Sequence, residues 1–124
     1  MVSIGRVDPR PGPRRGDIFV LELPDVGGHV QAGRRPGVVV QADRLSRSGT
    51  VIVCPITSAP PRDDLRRPHR VPIARGETGL DRDGWVKADQ LLTLPASVLA
   101  GPIGRLAPAA IDRLDAALRF VLDL

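Results

Sequence analysis

Helical periodicity occurs once in this chain of 124 residues, at its C-terminal end. Pro108 suits the first turn of a helix there, because a proline at that position loses no hydrogen bond. Asp115 and Arg119 have the i, i+4 spacing of a helical ion pair. The sequence thus predicts a single amphipathic helix, whose apolar side chains recur every three or four residues at Ile111, Leu114, Leu118, Val121 and Leu122.

Short apolar and β-branched runs, separated by turn-forming segments, occupy the rest of the chain. Several short strands without long helices between them favour a small barrel or a curled sheet. We therefore expect a mainly β fold, an SH3-like barrel in its architecture, closed by the C-terminal helix. The predicted strands cover residues 17–23, 38–40, 50–56, 70–74 and 85–88, and a continuation of the last one as far as residue 94 is left open.

The first 15 residues contain proline, glycine and arginine but no apolar pattern. Such a segment cannot bury enough surface to offset the entropy lost on ordering. We expect a flexible basic tail over residues 1–15 and one folded domain over residues 16–124. No apolar run follows the arginines as in a secretory signal, and none approaches the roughly 18 residues of a membrane span, so a cytoplasmic location is expected.

The net charge of +4 invites a nucleic-acid interpretation but does not carry it. Four arginines against one aspartate give the tail +3, so residues 16–124 hold only +1. Cys54 is the single cysteine and the chain has two histidines, so an internal disulfide is excluded and no metal site is expected from this chain alone. We expect no cofactor.

The first candidate for chemistry is Arg35, which precedes Pro36 at the entrance to the valine-rich strand. Proline biases the residue before it toward an extended conformation, so Arg35 is held on a rigid edge. Its guanidinium could neutralise a phosphate with two parallel hydrogen bonds. The alternative is an ordinary solvated arginine.

The second candidate is the pair of hydroxyls, Thr57 and Ser58, that follows the apolar strand containing Cys54. Such hydroxyls can donate to phosphate oxygens, or they can terminate the strand by bonding to their own backbone. Cys54 is interpreted as a small core residue, since nothing nearby in the sequence would lower the pKa of its thiol.

Lys87 and Asp89 project to the same side of an extended segment, which places a cation and a carboxylate on one surface. They suit acid and base roles, or they form an ordinary surface ion pair. His29 lies in a glycine-rich connection, where an imidazole could relay a proton near neutral pH. Aromatic residues are only 2% of the chain, so any RNA recognition would depend on arginines, polar side chains and backbone groups.

Taken in order, five segments resemble the MazF/PemK family of toxins from bacterial type II toxin–antitoxin systems. Each segment is a weak signal by itself, but their order and spacing are fairly specific, and the resemblance covers residues 14–124. The segments are RGDI at 15–18, GRRP at 33–36 followed by VVVQ at 38–41, VIVCPITS at 51–58, VKADQL at 86–91 and IGRL at 103–106.

The resemblance implies an SH3-like barrel of the plasmid-maintenance toxin type and a homodimer whose RNA groove spans both subunits. It also implies sequence-selective, metal-independent cleavage of single-stranded mRNA, in which a 2′-hydroxyl attacks the adjacent phosphate. The products would be a 2′,3′-cyclic phosphate and a 5′-hydroxyl. The implied partner is an acidic, MazE-like antitoxin whose extended tail occupies the RNA groove.

Carried over by position, the resemblance implies that Arg35 stabilises the phosphorane or protonates the leaving group, and that Thr57 positions the phosphate. Lysine stands at position 87, where related toxins tend to have arginine. The resemblance therefore leaves open whether residue 87 acts as the general acid. The implied RNA-binding or auxiliary residues are Asp17, His29, Ser58, Lys87, Asp89 and Gln90.

Two other functions stay open on the sequence alone. A non-catalytic inhibitor of DNA gyrase, as in the structurally related CcdB toxins, would use the same barrel and its C-terminal helix. A degenerate paralogue would bind antitoxin without cutting RNA. The recognition sequence is not readable, because specificity in this family resides in variable loops, here residues 24–34, 42–49 and 59–68.

Overall fold

The computed structural model describes residues 12–25, 27–28, 33–61 and 68–124, apart from the side chain of Glu77. Its described strands form one antiparallel sheet of seven, and the sheet is followed by a helix. None of the helices in these ranges is long and apolar enough to cross a membrane. The elements are β1 (Asp17–Leu23), β2 (Gly33–Val39), β3 (Thr50–Thr57), β4 (Arg70–Ile73), α1 (Arg75–Thr78), β5 (Gly84–Lys87), β6 (Leu92–Pro95), β7 (Leu99–Arg105) and α2 (Pro108–Leu122).

The strands follow the order β4-β5-β3-β2-β1-β7, and β6 pairs with the other end of β3. At the outer strand β7, the chain after α1 comes into close contact with the sheet. A Cβ atom on Gly104 would lie 2.0 Å from the carbonyl oxygen of Thr78, and one on Gly79 would lie 2.5 Å from that of Ile103. The sheet is thus curled, and the α1 segment, residues 75–79, connects its first strand, β4, to its last strand, β7.

Apolar side chains are buried on both faces of this sheet. One core lies under α2, where Ala110, Leu114 and Ala117 pack with residues such as Ile18 and Val86. The opposite face buries a second, smaller cluster, which contains Leu21, Leu23, Val39, Val51 and Val53. Burial on both sides explains why β3 reads as a nearly continuous apolar run.

Helix α2 begins at Pro108, with no side-chain cap at Ala107, and ends at Leu122. The predicted helix is confirmed, but its predicted internal ion pair is replaced by a contact to the N-terminal segment. Asp115 accepts a hydrogen bond from the guanidinium of Arg15, whose Nε donates to the carbonyl of Val40 at 2.9 Å. Arg15 was assigned to the tail by sequence, whereas it is bonded to the domain here; residues 1–11 lie outside the described ranges.

The second strand begins earlier than the valines that indicated it. Strand β2 starts at Gly33 and includes Pro36, which lies opposite Val20 of β1. Its described pairing with β3 begins only at Gly37, so the missing N–H of Pro36 interrupts no ladder on that side.

The fifth strand does not continue as far as residue 94, an extension that the sequence left open. Gln90 donates its backbone N–H to the carbonyl of Lys87, which turns the chain, and β6 then pairs with β3 instead of continuing along β4. Strand β7 and the single turn α1 were not predicted.

Candidate active site

A pocket of about 290 Å³ opens where β2 begins and where β3 ends. The start of β5 and the loop before it form its remaining wall. This arrangement collects residues that are distant in sequence around one cavity. Its lining residues are Arg35, Pro36, Ile56, Thr57, Ser58, Leu80, Asp81, Arg82, Asp83 and Gly84.

Arg35 and Thr57 lie at two neighbouring strand ends, and both line the pocket. The β2–β3 ladder ends where Gly37 pairs with Pro55, and each of the two residues lies two positions beyond that pair on its own strand. Arg35 is exposed, whereas Thr57 is only 9% exposed. The neighbouring Arg34 alternates to the other side of the strand, where it forms an ion pair with Glu22 at 2.8 Å.

The hydroxyl of Thr57 takes part in the strand ending and still has a proton to donate. Its Oγ1 accepts the backbone N–H of Ala59 at 3.2 Å. A hydroxyl can accept one hydrogen bond and donate another at the same time. The O–H of Thr57 can therefore rotate to donate to an anion in the pocket. Ser58, next along the chain, is exposed and also lines the cavity.

The loop over residues 80–83 completes the pocket, and the sequence did not point to it. Asp83 fixes this loop by accepting the backbone N–H of Arg75 at 3.0 Å. Arg82 and Asp81 are exposed at the cavity. Gly84 allows β5 to approach β3, because a Cβ there would lie 2.9 Å from the carbonyl oxygen of Thr57.

Lys87 lies on the same sheet face as Thr57, outside the lining of the pocket. Thr57 pairs with Trp85, and residues two apart in a strand share a face. Burial lowers the pKa of Lys87, and the charges of Arg70 and Arg35 lower it further, while Asp89 opposes them. Asp89 and Gln90 follow in the turn after β5.

Asp17 lies away from the pocket, and His29 lies outside the described residues. The side chain of Asp17 bonds to Arg105 at 2.6 Å and accepts the backbone N–H of Arg14 at 2.8 Å. Arg35 is paired with Leu21, four residues further along β1, which corresponds to roughly 13 Å of strand. In this single chain Asp17 therefore joins β1 to β7 and does not meet Arg35.

Cys54 is a core residue, as predicted from its apolar strand. It is fully buried, and that burial, with a contribution from Asp89, raises the pKa of its thiol to about 12. A thiol in this state is not a nucleophile near neutral pH. In the described ranges, no group of three or more His, Cys, Asp or Glu side chains is placed to hold a metal ion.

A guanidinium and a hydroxyl that converge on a partly enclosed cavity are suited to bind a phosphate or another oxyanion. Fold and site together define a small SH3-like β protein with a pocket at its strand ends that is lined by arginine and hydroxyl side chains. The chain belongs to the family described as PemK-like, MazF-like toxins of type II toxin–antitoxin systems, whose model matches residues 14–122. The family predicted from the sequence motifs is confirmed.

Two related endoribonucleases match this chain over almost their whole length. The chain is 33% identical over 119 residues to endoribonuclease MazF9 of Mycobacterium tuberculosis, covering 90% of this chain and 97% of the relative. It is 34% identical over 112 residues to endoribonuclease EndoA of Bacillus subtilis, covering 90% and 95%.

Solved structures share the fold. MazF from Deinococcus radiodurans superposes with a TM-score of 0.73 at 25% identity, over 91% of this chain and 98% of that one. A mycobacterial endoribonuclease in complex with its cognate antitoxin superposes with a TM-score of 0.72 at 25% identity, over 90% and 96%. The predicted SH3-like architecture is confirmed by this agreement.

Proposed function

We propose that this chain is the endoribonuclease toxin of a type II toxin–antitoxin pair and cleaves single-stranded mRNA at selected sequences. The observation that carries the proposal is that Arg35 and Thr57, from the ends of neighbouring strands, line one pocket. The two named relatives, both endoribonucleases, support it.

The proposed reaction is a transfer within the RNA backbone. The 2′-hydroxyl loses its proton and attacks the adjacent phosphorus, the bond to the 5′-oxygen breaks, and that oxygen takes up a proton. The products are a 2′,3′-cyclic phosphate and a 5′-hydroxyl. No metal ion is required in this scheme, because the nucleophile belongs to the substrate and the protein supplies orientation and charge.

Arg35 and Thr57 have complementary tasks in this reaction. The guanidinium of Arg35 presents two parallel N–H groups to the non-bridging oxygens, on which negative charge grows in the phosphorane. The Thr57 hydroxyl, already oriented by the Ala59 N–H, donates to the same phosphate. Preorganised donors of this kind act without reorganisation during the reaction.

Proton transfer falls to titratable groups near this phosphate, and Lys87 is the described candidate. Its lowered pKa brings an ammonium closer to the range in which it can give up a proton. Asp89 and Gln90 follow it in the turn after β5 and are proposed as auxiliary or RNA-binding groups, together with Ser58 at the pocket.

An acidic antitoxin segment is the proposed inhibitor, since a cationic pocket that binds phosphate also suits carboxylates. The structural neighbour determined with its cognate antitoxin supports such a partner. A homodimer with the groove shared by both subunits is proposed as the active form.

The test is cleavage of a long RNA in EDTA, followed by analysis of the fragment ends. Arg35→Ala should lower the cleavage rate about 10²- to 10³-fold, the usual cost of one donor at a developing oxyanion. Arg119→Ala is the control, because it removes an exposed arginine of α2 that does not line the pocket, and it should cut at the wild-type rate.

Discrete cuts with cyclic-phosphate and 5′-hydroxyl ends, lost in Arg35→Ala alone, are the expected result. The same sequence as DNA should stay intact because it lacks the nucleophile. Intact RNA across diverse sequences, or cleavage abolished by EDTA, would overturn the proposal. Inhibition of gyrase supercoiling in place of RNA cleavage would favour the CcdB-like alternative.

A further inference from the structure

A second pair of cations lies on the sheet beside the pocket. The β4–β5 register places Arg70 directly opposite Lys87. Two like charges in this position are destabilising, because directly paired side chains are only about 5 Å apart at Cβ. An anion that binds beside the two groups would offset this repulsion.

The guanidinium of Arg70 also has a donor that the protein does not satisfy. Its Nε is buried and has no hydrogen-bond partner within the described part of the chain. Buried donors are nearly always paired, and an unpaired one destabilises the fold. This second observation is independent of the like-charge pairing, and it points to an acceptor supplied by a ligand.

The cation pair shares a face with the proposed catalytic residues. Lys87 is two residues from Trp85, which pairs with Thr57, and Arg70 pairs with Lys87. Strand β3 separates β2 from β5, so Arg35 and Lys87 are roughly 12 Å apart at the backbone, a gap that long side chains narrow. Arg35 and Arg70 both lower the pKa of Lys87, while Asp89 is the opposing charge.

We propose that Arg70, on the strand beside Lys87, forms a second phosphate-binding subsite, which holds an RNA backbone phosphate adjacent to the one that is cleaved. The inference rests on the proposed function, since it extends the same substrate across the sheet. Arg70 is a binding residue in this proposal and does not take part in bond breaking.

Binding is tested with an RNA that carries a single 2′-deoxy nucleotide at the cut site, so that it binds without reacting. Fluorescence anisotropy over a series of salt concentrations gives both Kd and its salt dependence. Arg70→Ala should raise Kd about tenfold at low salt, the loss of one charge-assisted hydrogen-bonding group. The slope of log K against log salt should fall by about 0.7, as for one phosphate contact to a single strand.

Two further variants complete the test. Arg119→Ala removes an exposed arginine of α2, on the element packed against the other face, and should leave Kd and slope unchanged. Arg70→Lys should keep the salt slope but weaken Kd, because it retains the charge and loses the Nε donor.

Stability separates a binding role from a structural one. Since Arg70 faces a like charge and has an unsatisfied donor, Arg70→Ala should melt at the wild-type temperature or above it. An unchanged Kd and slope in Arg70→Ala would overturn the proposal, and so would equal effects in Arg119→Ala. If Arg70→Ala melted lower, the role would be structural and the inference would fail even with weaker binding. Wild-type cleavage measured in parallel distinguishes this failure from failure of the proposed function.

Discussion

At Thr57, one hydroxyl group serves both the ending of a strand and the pocket beside it. Its oxygen accepts the Ala59 N–H, and its proton is left for a ligand. The two interpretations that the sequence offered for this residue are therefore compatible. The hydrogen bond that ends the strand also orients the hydroxyl that donates to a ligand.

Thr57→Val tests this double role because valine has nearly the same shape and no hydroxyl. We expect the cleavage rate to fall about 10²-fold, with little change in Kd for RNA, if the donor acts mainly on the developing charge. The free energy of unfolding should fall by only about 1 kcal/mol, as for one lost hydrogen bond at an exposed N–H. Single-turnover cleavage and urea denaturation measure the two quantities.

Thr57→Ser is the matched control, since it keeps the hydroxyl and removes only a methyl group. It should retain most of the wild-type rate. A Thr57→Val enzyme that cuts as fast as Thr57→Ser would contradict a role for the hydroxyl.

Among single residues, the sequence could identify those that sit beside a local structural signal. Arg35 precedes a proline, and Thr57 ends an apolar run. Each residue could therefore be recognised from its immediate neighbours in the sequence. Arg82 and Arg70 carry no such signal, because their neighbours in sequence do not line the site. They become relevant only through the packing of the 80–83 loop and the cross-strand pairing of β4 with β5.

At the scale of elements, β2 is constrained where it crosses between β1 and β3. A Cβ on Gly37 would lie 2.2 Å from Cδ1 of Leu21 and 3.1 Å from the carbonyl oxygen of Cys54. Leu21 is fully buried in the second core, so it has little room to move. The glycine is thus required for packing.

Gly37→Ala should lower the free energy of unfolding by about 1 to 3 kcal/mol, the usual cost of overpacking a core. Urea denaturation followed by circular dichroism measures the change. Gly101→Ala is the control in another strand, because nothing lies within 4 Å of a Cβ built there. Equal stabilities for the two variants would show that Leu21 can move aside.

Strands were predictable from sequence where burial made them apolar, and elsewhere they were missed. Strands β1 and β3 bury residues along most of their length, and both were found. In β7 the sequence includes Gly101, Pro102 and Gly104, which weaken strand propensity, and its residues are only partly buried. The first half of β2 is likewise exposed, so its signal began only at Val38.

At the scale of the whole molecule, the N-terminal segment is joined to the C-terminal helix by a partly buried ion pair. The side chains of Arg15 and Asp115 are 28% and 31% exposed, and they are 100 residues apart in sequence. Because the two residues are so far apart in sequence, no local pattern predicts their contact. The i, i+4 spacing instead predicted a pair between Asp115 and its helical neighbour Arg119.

A double-mutant cycle of Arg15→Ala and Asp115→Ala should give a coupling energy of about 1 kcal/mol, with solvent screening taken into account. The cycle of Arg14→Ala and Asp43→Ala is the control, since that pair is 3.5 Å long and more than half exposed. Its coupling should be close to zero. If the coupling energy between Arg15 and Asp115 were no larger than that of the control pair, the ion pair would not stabilise the fold.

The close approach of the α1 segment to β7 has a consequence for how copies of this protein meet. An outer strand with unpaired N–H and C=O groups is a template on which another chain can add a strand. At Ile103 and Gly104 that approach is blocked by Thr78 and Gly79 of the same chain, which lie too near for even a methyl group to fit between. This stretch of β7 is therefore protected against edge-to-edge aggregation by its own neighbouring loop.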